Sequence, residues 1–140
     1  MKIALLLIFV LFSSNTCEKE DDECHKSILF VNNCENSIYI LWDTSYPDTV
    51  YFGHGPGPEV ESANLILPHE TSLKPIQERS CWEEIIAGDR IPSDTLMVFV
   101  FDAYIENTDW SDVVNDYMVL KRFDLSLEDL EKMDWTIAYP

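Results

Sequence analysis

The chain is short of glycine and of positive charge. Four of its 140 residues are glycine and 9 are lysine or arginine, against 26 aspartates and glutamates. Three of the glycines fall in one stretch, Gly53-His54-Gly55-Pro56-Gly57-Pro58, which reads as a surface loop and encodes no phosphate cradle. A net charge of −17 repels phosphate backbones, so nucleic acid is excluded as a partner. The four cysteines offer no Cys-x-x-Cys spacing, and adjacent Cys24 and His25 cannot by themselves build a tetrahedral zinc site. No Asp-x-Asp-x-Asp-Gly calcium loop and no Gly-x-Ser-x-Gly nucleophile turn is present. The expectation is a protein without a cofactor or metal.

Long apolar runs are equally scarce, with one exception. Lys2 precedes the uninterrupted stretch Ile3 to Phe12, and small polar residues Ser13-Ser14-Asn15-Thr16 lead to Cys17. Ten apolar residues cover about half of a bilayer's hydrocarbon, so the segment reads as a secretory leader and not as a membrane span. The next strongest run, Leu96 to Phe101, has six residues and is bounded by Asp94 and Asp102. The chain therefore divides into a leader at 1–16, an acidic tether at 17–26 and one globular domain at 27–140. An aromatic content of 12% and a hydrophobic content of 46% suffice for a single core.

The segment around Cys17 resembles the lipobox of bacterial lipoproteins, with Thr16 and Asn15 where small or aliphatic residues are usual, a looseness found in the Bacteroidetes group. The run Glu18-Lys19-Glu20-Asp21-Asp22-Glu23 resembles the acidic tether of surface lipoproteins from that group. This resemblance implies acyl chains on Cys17, a membrane partner through those chains, and an outer-membrane location, surface-exposed or periplasmic. Two or three acyl chains, at about 0.8 kcal/mol per buried methylene, anchor stably where one does not. Ordinary secretion, with cleavage near Thr16 and no lipid, is the other reading of the same leader.

Removing Cys17 leaves Cys24, Cys34 and Cys81, an odd number, so one bridge and one free thiol are expected in an oxidising compartment. Cys24 opens the folded part and Cys81 opens a helix, which favours Cys24–Cys81. The pairings Cys34–Cys81 and Cys24–Cys34 stay open on sequence alone.

Alternation of apolar residues predicts short strands at Ser27–Asn33 and Ser37–Asp43, joined as an antiparallel hairpin, then at 49–52, Asn64–Leu67 and 71–74. Ser80 with Glu83 forms a capping box for a short helix carrying Trp82, Ile85 and Ile86 on one face, and Gly88 stops it. Thr95 to Phe101 is apolar on both faces and reads as a central strand covered on two sides. A helix capped by Thr108 or Asp109 presents Trp110, Val113, Val114 and Tyr117 as one stripe. A strand from Met118 to Leu125 follows, then a helix capped by Ser126 with Asp129 and stapled by Leu125 and Leu130, then a closing strand at Trp135–Tyr139. The predicted class is mainly β: an antiparallel sandwich-like or α+β domain of seven or eight short strands and three short helices. Phe30-Val31-Asn32-Asn33, Ile38-Tyr39 and the stretch from Leu96 to Pro140 resemble a small uncharacterised family of Bacteroidetes-type lipoproteins without an assigned activity.

Chemistry is thinly encoded. His25, His54 and His69 all fall in segments that read as exposed, so no Ser-His or Cys-His pairing is predicted. Asp102 interrupts a buried run, where a carboxylate needs a partner, and Lys121 and Arg122 are the expected partners in a structural ion pair. The competing reading makes Asp102, with Glu106 or Asp109, the carboxylate pair of a small hydrolase. Tyr46, Tyr51 and Phe52 flank the Pro47 loop and are candidate ligand-binding aromatics, whereas Trp42 shares the face of Ile38 and Ile40 and is expected in the core. The function expected is therefore a non-catalytic binding module for a glycan or an envelope protein.

Overall fold

The computed structural model describes residues 23–47, 64–72, 76–88, 91 and 93–140. The expected strand at 49–52 and the loop at 53–58 lie outside these residues, and of the strand expected at 71–74 only Thr71 and Ser72 are described, Thr71 bridging Val31 in antiparallel fashion. Within them the chain is a mainly-β α+β fold of seven strands in two sheets and three short helices. β1 (Ser27–Asn32) is the middle of a three-stranded sheet, with β4 (Ile76–Gln77) antiparallel on one side and β7 (Thr136–Tyr139) parallel on the other. The four-stranded sheet is antiparallel, in the order β3 (Leu65–Ile66), β2 (Ile38–Asp43), β5 (Leu96–Asp102), β6 (Lys121–Leu125).

The first two strands do not form the expected hairpin. They belong to different sheets, and Ile28 and Phe30 of β1 meet Ile38 and Ile40 of β2 across one core rather than along a ladder. The buried side chain of Asn32 sets this crossing. Its Nδ2 donates to the carbonyls of Asn36, Ile66 and Leu67 at 2.9, 3.2 and 3.1 Å, and its Oδ1 accepts from the backbone N–H of Cys34 at 2.9 Å. A backbone that must turn from one sheet to the next leaves polar groups without ladder partners, and one amide side chain satisfies them.

β5 fills its expected central place. Leu96, Val98 and Val100 face the shared core, while Met97, Phe99 and Phe101 face a second core. That second core is closed by a 3-10 helix at Ala103–Asn107 and by α2 (Trp110–Asn115). Asp109 caps α2 by accepting from Ser111, but the apolar stripe stops one turn short of its expected end. Val113 is buried and Trp110 and Val114 pack partly, whereas Tyr117 lies past the helix with a φ of 47° and is exposed.

α3 (Leu127–Lys132) starts as its sequence dictates. Ser126 and Asp129 exchange side-chain and backbone hydrogen bonds in a full capping box, and Leu125 and Leu130 are buried in the same core. α1 (Trp82–Ile86) does not: its N-cap is Cys81, without a side-chain hydrogen bond, because the Glu83 carboxylate expected to serve Ser80 turns instead to His25. Gly88 follows the helix where a Cβ would stand 2.3 Å from the carbonyl oxygen of Glu84, so only glycine fits without a backbone shift.

Candidate functional site

Cys24 is bonded to Cys81, with Cα atoms 5.0 Å apart, and Cys34 is free. The bridge draws the last residues assigned to the tether into the fold, so the bonded part of the domain begins at Cys24 and not at residue 27. His25 is the main consequence, and it is not the exposed loop histidine that its sequence context predicts. Its backbone N–H donates to both Glu83 oxygens at 3.1 and 3.0 Å, and its Nδ1 lies 2.5 Å from Oε1. The backbone N–H of Trp82 donates to the His25 carbonyl at 2.7 Å, and the imidazole stacks on Trp135 at 4.2 Å. Glu23, Glu131 and Asp134 join these residues around an open cleft of about 550 Å³. The signal lay in the pairing itself: once Cys24 meets Cys81, His25, one residue after the first, and Glu83, two residues after the second, fall within reach of one another. A carboxylate-held imidazole can act as a base, but this lining contains no serine, threonine or cysteine to activate. Among the described residues no group of three or more His, Cys, Asp or Glu is arranged to hold a metal ion.

His69 is exposed and lies 3.3 Å from Glu35, while His54 is outside the described residues. Cys17, Tyr51 and Phe52 are also outside them. Among the described residues no helix is long and apolar enough to cross a membrane.

The expected ion pair of Asp102 with Lys121 and Arg122 is not made. β6 pairs with β5 only from Leu96 to Val100, so Asp102 lies beyond the ladder, opposite Ile38. There it is exposed and caps the 3-10 helix by accepting from the backbone N–H of Tyr104 at 2.8 Å. Lys121 and Arg122 are neighbours on a strand and point to opposite faces of the sheet. Lys121 reaches over the ring of Phe123, whereas Arg122 sits on the second-core face beside Phe99.

Arg122 organises the surface that carries Tyr46. Its Nε donates to Oδ1 of Asp124 at 2.6 Å, and its guanidinium stands 5.7 Å from the Tyr46 ring and 5.6 Å from the Phe99 ring. Desolvation works against the charge, but hydrogen bonds to Asp124 and Tyr117 outweigh it and hold the arginine's pKa above its ordinary value. Tyr46 and Tyr117 flank this cation and leave 37% and 48% of their surface to water. Tyr117 and Asp124 were not singled out by the sequence, because neither a helix-stripe tyrosine nor one acid among 26 has a distinguishing pattern.

Trp42 is a correction of the same kind. It lies opposite Val98, yet it is 37% exposed: one residue before the end of β2, its ring meets that of Trp82 edge-to-face, with centroids 5.5 Å apart. The chain matches no protein-family model, no curated protein and no solved structure.

Proposed function

We propose that this chain is a lipid-anchored protein of the bacterial cell envelope whose folded module binds glycans and performs no covalent chemistry. The observation that carries the reading is the surface of Tyr46, Arg122, Asp124 and Tyr117: two exposed aromatic rings around a fixed guanidinium–carboxylate pair. A sugar ring offers an apolar C–H face and a rim of hydroxyls. Aromatic faces take the first and planar charged groups the second. Because Arg122 is held on three sides, little side-chain entropy is lost when a ligand arrives.

The envelope address rests on the leader, Cys17 and the acidic run that follows. Self-repulsion of that run would hold the module off the outer membrane. A hydrolytic role for Asp102 is disfavoured by its place: it is exposed and committed to a helix cap, while hydrolysis needs a cleft with a second carboxylate about 5–10 Å away.

Two measurements test the reading. Full-length protein in detergent, applied to a glycan array, should mark a defined set of glycans, and Tyr46→Ala should weaken that signal at least tenfold. A blank array at micromolar protein would overturn glycan binding. Mass spectrometry of the native protein should find Cys17 acylated and the leader gone; an unmodified Cys17 would overturn the anchor.

A further inference from the structure

We infer that the glycan taken by the Tyr46 surface is uncharged and is gripped through two neighbouring hydroxyls by Arg122 and Asp124, an inference that rests on the glycan-binding reading above. The first ground is the state of the arginine. A guanidinium has five N–H donors in a rigid fork. One goes to Asp124 at 2.6 Å and another meets Tyr117, so the charge is compensated while further N–H donors stay on the fork. An anionic sugar reaching those donors would meet a cation whose charge Asp124 already compensates, with that carboxylate beside it as a like charge.

The second ground is the field around the pair. Lys121, its neighbour on β6, points to the opposite face, and the chain as a whole carries −17. A carboxylated, sulfated or phosphorylated glycan is repelled on approach and meets in Arg122 a cation already paired with Asp124. A neutral glycan meets neither cost.

The third ground is geometry. Arg122 donates and Asp124 accepts, side by side, with 42% of the Asp124 side chain and 16% of the Arg122 side chain open to water, so the carboxylate and the outer edge of the fork are what a ligand reaches. Two adjacent ring hydroxyls match that pattern: one donates to the carboxylate while the other accepts from the fork. The ring so held lies beside Tyr46, over which the guanidinium stands, and the part of that side chain left open to water covers its C–H groups.

The test compares neutral glycans with carboxylated and sulfated forms of the same backbones, on the full-length protein in detergent, with thermal melts run on every variant. Wild type should prefer the neutral forms at least tenfold, with an affinity that changes less than about twofold between 50 and 500 mM salt, since no ion pair is formed with the ligand. Arg122→Lys keeps the charge and loses the fork, and should lose at least tenfold on neutral glycans. Asp124→Asn frees the cation, and should lose neutral binding while gaining acidic glycans. If Arg122→Lys melts early, Asp124→Asn with Tyr117→Phe carries the test. Preference of wild type for acidic glycans, binding weakened by salt, or neutral binding untouched by both Arg122→Lys and Asp124→Asn would overturn the inference and leave glycan binding standing. Binding to no glycan, with capture of an envelope protein through Tyr46 instead, would overturn both.

Discussion

Asn32 shows how much one side chain can hold. It is buried, and its amide serves three carbonyls and one N–H at the point where the chain passes from one sheet to the other. Asn32→Ala removes all four bonds; the Ile66 carbonyl loses a buried partner, at about 1–3 kcal/mol before relaxation, while the others are part-buried and lose less. The expected loss is about 3 kcal/mol in urea unfolding at neutral pH; a loss under about 1 kcal/mol would show that water replaces the amide. Tyr39 is the opposite case. Its ring is fully buried in the second core and its hydroxyl has no partner among the described residues. Tyr39→Phe should therefore cost nothing or stabilise by about 1 kcal/mol. It should also change the alkaline limit. Burial, and then the charge of Glu106, push the Tyr39 phenol above its ordinary value of 10.0. The unfolded chain ionises first, so wild-type stability falls as pH rises past about 10, and the phenylalanine variant should lose less over that range. Urea midpoints of both proteins at pH 8 and above pH 10 measure this; parallel curves would refute it.

The helices divide by whether their start is written locally. α3 has its whole cap within four residues, Ser126 to Asp129, and that pattern was legible. Ser126→Ala should cost about 1 kcal/mol. The Ser126 hydroxyl first, and its backbone N–H second, hold the Asp129 carboxyl below its ordinary value of 3.8. That support is complete above pH 3.8 and fades as pH falls through the lower folded value, so the gap between wild type and Ser126→Ala should narrow in acid. A gap constant down to pH 2 by urea melts would argue against the box. α1 forms where its apolar spacing places it, but its expected cap does not, because Glu83 is claimed by His25, 58 residues away in sequence, and a local spacing rule cannot see a competing partner that a disulfide delivers. The same limit explains the strands. Period-two patterns identified β1, β2, β5 and β7 and the double burial of β5, because the face a residue occupies is a local property. Which strand lies beside which is not, and the hairpin of β1 with β2 was lost to a parallel pairing of β1 with β7 that joins the two ends of the domain.

For the whole molecule, the start of the described chain is fastened by several bonds at once. Cys24 is bridged to Cys81, the Trp82 N–H reaches back to the His25 carbonyl, Glu83 holds His25 by its backbone and ring, and Trp135 covers the imidazole. Any pull on an anchor at Cys17 would arrive at this clamp and pass into α1 and the strand next to it, while the Tyr46 surface lies on the other sheet, after β2 and beside β6. The bridge closes a loop of 57 residues, which in the chain-entropy account removes about 4 kcal/mol worth of freedom from the unfolded state. The double variant Cys24→Ala with Cys81→Ala should therefore unfold at a urea midpoint corresponding to a loss of about 4 kcal/mol. In native hydrogen exchange the loss of protection should come first at residues 24–26 and in α1, since β2 and β5 keep their own ladder and both cores. Glycan signal in that variant should survive wherever the protein is still folded. If protection instead fell evenly across both sheets, the clamp and the Tyr46 surface would be one cooperative unit.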